Sequence, residues 1–524
     1  MKKSLYGALG VFLTVCFVYI AYNFSRTEGH FSYLIDDAYI HLSIAKNFAL
    51  YDVWGVTAYN TVSASSSPLF TLVISAIIAV VGDHHIMPLI FNLVIGCWMV
   101  YFLWRYYSSL SKNNVFVFIA ISLTIMYSLM YLQVLLGMEH VLHAFVCCVF
   151  IFFLQRNLSR DFTVKSDVYW MLFTLIPMGL IRFESMLLFF ITSFLLLVIR
   201  KYKLALLVVL YGFIPVFLFG IINKSIDGHF FPNSVVVKGS LLWFEGDVIK
   251  IVNYYILNKI FLNPTFYKLG FLSFSTLVLL LFRKGENMGF QDFVKRDFSL
   301  LLVVFVFLGQ LLFGEVRTHF RYEAYLMLMF AMVLAPYFVH NFYKHNIYLK
   351  RIMFVSFVGH LVMLGYKNVV AQSMLVSGTA NVYEQQIQSA KFLKKFYNTD
   401  KVIANDIGAI SYYSDVHLLD IIGLGSSIMM PYNDRYSFHQ DFEDFLQSYS
   451  LKNDYKIAVV YKKWFDGHLP KTWVEVGQFI LQDNHNVASN VVSVYAVRPE
   501  YVVDLKNNMR LFQWNNRVDV RILE

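Results

Sequence analysis

Apolar stretches of about 17–25 residues, the length that carries a helix across about 30 Å of hydrocarbon, recur through the first 366 residues of this chain. In lipid a backbone must satisfy its own polar groups, and a continuous helix does so within one segment. The sequence therefore reads as a polytopic α-helical membrane protein. Spans are expected at about 5–22, 87–104, 115–134, 141–154, 168–181, 184–199, 204–222, 265–282, 299–313, 322–339 and 352–366, eleven in all. Of the 524 residues 58% are hydrophobic and only 15% charged. After Tyr366 the apolar runs shorten and charges become frequent. Residues 1–369 are thus expected to form the membrane domain and residues 370–524 a soluble domain.

Met1-Lys2-Lys3 and the apolar stretch after it resemble a signal peptide, but no small-residue cleavage site follows. The segment is expected to stay as an anchor. Cys16, Cys97, Cys147 and Cys148 all fall in expected spans, so neither a disulfide framework nor a thiolate metal site is implied. The net charge of +9 sits largely in membrane-flanking loops, which argues against a nucleic-acid partner.

Alternate loops carry the basic residues: Lys2 and Lys3, Arg105 and Lys112, Arg156, Arg160 and Lys165, then Arg200, Lys201 and Lys203. The set continues with Arg283, Lys284, Lys295 and Arg296, and with Lys344, Lys350 and Arg351. The positive-inside rule makes these loops cytoplasmic. The opposite loops then face out, and so does the C-terminal domain after an odd number of spans. Ser67–Val80, apolar but only 14 residues long, reads as an interfacial or re-entrant helix on the outer face, with a twelfth short span as the alternative.

The outward loops hold the residues suited to chemistry. Asp36 and Asp37 stand side by side just beyond the first span, at the start of a partly amphipathic helix. Paired carboxylates at a membrane face offer a proton acceptor, a hard-cation ligand, or both. Glu139, His140 and His143 sit at the mouth of a span; the two histidines share a helix face, a metal half-site that lacks further spaced ligands, and Glu139 reads rather as a functional polar group at the cavity. Arg182 and Glu184 interrupt an apolar stretch, either as an ion pair or with Arg182 facing a lipid phosphate. Lys238, Arg317, His319 and Arg321 bring cations to the same face, as a phosphodiester site requires.

In the C-terminal part, strands are expected at Lys401–Ala404, Leu418–Leu424 and Tyr455–Tyr461, with an amphipathic helix at Glu384–Tyr397. These make an α/β domain. Asp406 and Gly408 stand at a strand end, lining a cleft or forming a capped turn. The GLG at 423–425 is too little for a dinucleotide fingerprint.

Seven motifs follow in order: DDAY at 36–39, SPL at 67–69, GME at 137–139, RFE at 182–184, PNSVVVK at 232–238, RTHFR at 317–321 and DIGAISYY at 406–413. In this order the chain resembles the GT-C class of membrane glycosyltransferases, and within it the mycobacterial terminal arabinofuranosyltransferase group. The resemblance covers about residues 33–425. It departs where His140 replaces a usual Thr and Phe183 a usual Pro, and the chain after about 430 lies outside the pattern.

The resemblance implies a GT-C-type fold. It also implies a polyprenyl-phosphate donor carrying an arabinofuranose- or mannose-type sugar, and an acceptor hydroxyl on a cell-envelope glycan, lipid or protein. Asp36 or Asp37 would remove the acceptor proton, the other positioning it or joining in a site for Mg²⁺, Mn²⁺ or Ca²⁺. Arg182, Lys238, Arg317, His319 and Arg321 would hold the phosphate. Tyr39, Glu139, His140, Glu184, Asn233 and Asp406 would line the substrate cavity. No nucleotide is needed. The expected place is a bacterial inner membrane, with the active site and C-terminal domain in the periplasm. The alternative is a transporter or flippase of lipid-linked sugars, which would call for repeats and mid-membrane charges.

Overall fold

A computed structural model describes residues 2–239, 248–262, 271–281, 289–314, 318–337, 347–434, 437–438, 441–465 and 467–524. The first half is helical: α1 (Lys2–Arg26), α2 (Asp37–Tyr51), α3 (Pro68–Val81), α4 (Met87–Leu110), α5 (Asn114–Tyr127), α6 (Met130–Leu136) and α7 (His140–Ser159). Then come α8 (Lys165–Ile181), α9 (Ser185–Val198), α10 (Tyr202–Asp227) and the short α11 (Asn233–Lys238).

Where its residues are described, each of the eleven expected spans falls on helix, 115–134 on two of them, but the count of eleven crossings is corrected. Among the described residues five helices are long and apolar enough to cross: α1, α4, α7, α10 and Met353–Tyr397. The number is seven if two bent pairs each count once: α5 with α6, bent by 46°, and Phe290–Arg296 with Phe298–Phe313, bent by 82°. Length is the reason. Ser185–Val198 has 14 residues, about 21 Å at 1.5 Å per residue, short of the hydrocarbon thickness. The apolar α3 also has 14 residues and packs along α2.

Met353–Tyr397 runs for 45 residues, so the domain boundary expected at 369/370 falls inside one helix. It passes through a wide turn at Tyr383–Ile387 before its last segment, Gln388–Tyr397. Beyond it lie strands β1 (Lys401–Ala404), β2 (His417–Asp420), β3 (Asn433–Asp434), β4 (Ser437–Phe438), β5 (Ile457–Val460), β6 (Val474–Leu481), β7 (Val491–Ala496) and β8 (Val518–Ile522). A six-stranded sheet has the order β2-β1-β5-β7-β6-β8. β1 runs parallel to β2 and β5, with Val402 opposite both Leu418 and Ile457. The other pairings are antiparallel. Buried on both faces, β5 is apolar throughout, as a central strand must be.

The strand expected to reach Leu424 stops at Asp420, whose carboxylate accepts the N–H of Ile422 (2.9 Å) and Gly425 (2.7 Å) and turns the chain. The helix Gly408–Tyr413 packs on α2, which joins the sheet domain to the membrane part. Ser43 and Ser411 hydroxyls meet at 2.8 Å across this joint, and the Lys46 ammonium donates to the Tyr412 carbonyl at 2.8 Å.

Candidate active site

Asp37 opens α2, and two cations from distant segments converge on it. Lys238, in the last turn of α11, meets Oδ1 at 3.1 Å, and Arg321 meets Oδ2 at 2.8 Å. Arg321 is presented by a backbone in which His319 and Phe320 have φ of 71° and 54°. Such left-handed conformations are strained for bulky residues. Gln133 holds them by donating from Nε2 to both carbonyls, at 3.2 and 3.3 Å. Burial alone would raise the Asp37 carboxyl, but Lys238 and Arg321 outweigh it and hold the group well below the usual carboxylate range.

Arg182 follows the last residue of α8, donates to Glu139 at 2.6 Å and is clasped by Glu184. Its guanidinium lies 4.9 Å from the Tyr322 ring centre, and Arg321 lies 5.1 Å from the same ring. One aromatic thus carries two cations. Glu139 is fully buried; burial works against its charge, yet His140, Arg182 and His41 together hold it at about 2. His41 sits 3.5 Å from Glu139 and shares a 2.8 Å hydrogen bond with Thr71, its pKa lowered mainly by burial.

These groups enclose a cavity of about 300 Å³. Asp37, His41, Arg182, Glu184, Lys238, Arg321 and Tyr322 form its polar part; Met138, Phe183, Met186, Phe231 and Phe313 form an apolar flank. Of the two alternatives for Arg182 the ion pair with Glu184 is present, and the guanidinium also lines the cavity. Leu424 reaches the wall from the sheet domain.

Other expected site residues lie elsewhere. Asp36 accepts the N–H of Gly408 at 2.5 Å and of Ala409 at 2.8 Å, capping the helix that begins at Gly408. A Cβ on Gly408 would come within 2.7 Å of Asp36 Oδ2 and closer still to its carbonyl oxygen. Asp406 is hydrogen-bonded to Gln386 and Tyr461, away from the cavity. Burial and the Asp406 charge push Asp36 well above the ordinary carboxylate range, and burial raises Asp406 as well. As arranged, Asp36 and Asp37 do not fit a shared cation: the first is spent on backbone N–H groups, and each oxygen of the second already holds a cation.

Tyr39 is buried under Tyr33, Tyr412 and Tyr413 rather than lining the cavity. Asn233 instead ties its helix to Asp227 (2.7 Å) and Ser427 (3.2 Å). His319 pairs with Asn486 of the sheet domain, so its imidazole is turned from the phosphate set. His140 is buried against Tyr322, and His143 bonds Ser185 at 2.8 Å, so the two do not act as one metal half-site. Arg317 lies outside the described residues. Sequence reasoning missed His41 and Tyr322. His41 was visible as the residue one helical turn after Asp37; nothing marked Tyr322 beyond its place beside Arg321.

The fold has counterparts. Over 94% of this chain and 98% of theirs, it matches crystal structures of ArnT from Cupriavidus metallidurans, one bound to undecaprenyl phosphate (TM-score 0.52) and one in the apo state (0.50), both at 12% identity. The Archaeoglobus fulgidus oligosaccharyltransferase matches at TM-score 0.44 and 10% identity, over 91% of this chain and 74% of that one. The chain has the ArnT fold. A family model described as "Domain of unknown function (DUF8728)" matches residues 380–495, the long helix end and most of the sheet domain. No curated protein matches the sequence.

Proposed function

We propose that this chain is a glycosyltransferase of the GT-C type. In this reading it moves a sugar from a polyprenyl-phosphate donor to a hydroxyl of a cell-envelope glycan, lipid or protein. The observation that carries the reading is the cavity in which Arg182, Lys238 and Arg321 surround the Asp37 carboxylate beside an apolar flank. That combination suits a ligand with a phosphate, a polar sugar and a lipid tail. The shared fold adds support, since one ArnT structure is bound to undecaprenyl phosphate. The seven motifs favour an arabinofuranose- or mannose-type sugar, and a bacterial inner membrane with the cavity on the periplasmic side.

In this mechanism Lys238, Arg321 and Arg182 hold the donor phosphodiester. The acceptor oxygen bonds to the anomeric carbon as the carbon–oxygen bond to phosphate breaks, and polyprenyl phosphate leaves with that electron pair. Asp37 takes the acceptor proton. Before the donor arrives Asp37 is a weak base, because its charge is neutralised by two cations. Donor phosphate shares those cations, so the carboxylate gains basicity only with substrate in place. Glu139 and Tyr322 act as positioning residues that fix Arg182 and Arg321.

The test is donor binding and cleavage. Lys238→Met and Arg321→Gln should each weaken polyprenyl-phosphate binding by about 10-fold to 100-fold, the worth of one charged hydrogen bond of about 1.5–3 kcal/mol. Unchanged affinity in both folded variants would overturn the assignment of the phosphate site.

A further inference from the structure

A second cavity, of about 390 Å³, lies apart from the reaction site. Its walls include Tyr22 and Arg26 at the end of α1, Asn381 and Glu384 on the long helix, and Asp483 and Arg517 of the sheet domain. α1 has 25 residues with Lys2 at one end and Arg26 at the other, about 38 Å of helix. That is enough to place both ends in the headgroup layers of a bilayer about 30 Å thick in its hydrocarbon. The cavity therefore opens at the level of lipid headgroups.

Its walls carry charges of both signs. Glu384 is only 5% exposed and pairs with Arg517 at 3.7 Å. Arg26 and Asp483 add a second guanidinium and a second carboxylate to the same space. A ligand that answers both carries an anion and an N–H-bearing cation a few ångströms apart.

We propose that this cavity binds the phosphoethanolamine headgroup of an aminophospholipid, its phosphate on Arg26 and Arg517 and its ammonium on Glu384 and Asp483. A purely anionic headgroup would meet two carboxylates. A choline headgroup has no N–H to give Glu384. The site stands independently of the proposed reaction, and it links the end of α1 to the sheet domain at the membrane surface.

The experiment uses the full chain in mixed micelles, with bound lipid counted by native mass spectrometry. Dioleoyl phosphatidylethanolamine, phosphatidylcholine and phosphatidylglycerol are offered in turn. Phosphatidylethanolamine should be retained at least about tenfold better than either rival, a difference of about 1.4 kcal/mol. Equal retention of the three by the unaltered protein would overturn the proposal, whatever the variants do. In Glu384→Gln, checked for an unchanged melt, the preference over choline should vanish; Arg26→Gln should weaken retention of the ethanolamine lipid. A folded Glu384→Gln with its preference intact would also overturn it. Soluble glycerophosphoethanolamine separates the sources: displacement of the lipid supports headgroup recognition alone, and a lipid retained against it supports recognition of headgroup and chains together.

Discussion

Neighbouring aspartates do opposite work here. Asp37 faces the cavity between Lys238 and Arg321, while Asp36 turns away and caps a helix 372 residues later in the chain. Asp37→Asn should cut transfer by about 10²–10⁴, the usual worth of a positioned base, and should also lower the melt, because Lys238 and the buried Arg321 lose their counter-charge. Asp36→Asn keeps one acceptor oxygen and loses the other, so it should cost about 1–3 kcal/mol of stability; a thermal melt reads this directly. Glu139 supplies a pH test. Its folded pKa of about 2 lies below the ordinary value of 4.5. A depressed carboxylate contributes stability above the unfolded value and loses it as pH falls through the folded one. The melting temperature should therefore fall between pH 4.5 and 2, and Glu139→Gln should flatten that part of the curve.

Helices were legible in the sequence because their signal is local: an apolar run announces itself whatever it touches. Each expected span lands on helix where its residues are described. Their lengths and bends were not legible, since α5 and α6 part at a 46° break with no proline to mark it. The strands Lys401–Ala404 and Ile457–Val460 were readable for the same local reason. The local Arg182–Glu184 pair was readable as one of two alternatives, but the long-range ion pairs were not, because Asp37 finds Lys238 and Arg321 about 200 and 280 positions away. Cations were visible as a set, but their separation into Arg182, Lys238 and Arg321 at the cavity and His319 outside it depends on the folded chain. At this scale the joint between α2 and Gly408–Tyr413 invites one substitution. Gly408→Ala puts a methyl group against Asp36, and overpacking of this kind costs about 1–3 kcal/mol. Limited proteolysis should release the sheet domain faster from that variant, and an unchanged cleavage rate would show that the joint tolerates the methyl.

The whole molecule places a charged, partly apolar cavity at the meeting of helices from the membrane part, with Leu424 of the sheet domain on its wall. The reacting groups all come from the membrane part, and the sheet domain contributes mainly contacts that hold α2 and the Arg321 segment: Gly408 and Ala409 on Asp36, and Asn486 on His319. The most direct measurement offers purified protein synthetic short-chain polyprenyl-phosphate arabinofuranose and mannose. Membrane extract serves as acceptor, with divalent cation present or chelated, and released polyprenyl phosphate is the readout. The expected result is release from one donor that Asp37→Asn abolishes while donor binding persists. Release undiminished in a folded Asp37→Asn variant would contradict the role given to this carboxylate, and donor bound but never cleaved by the unaltered protein would contradict the enzyme itself.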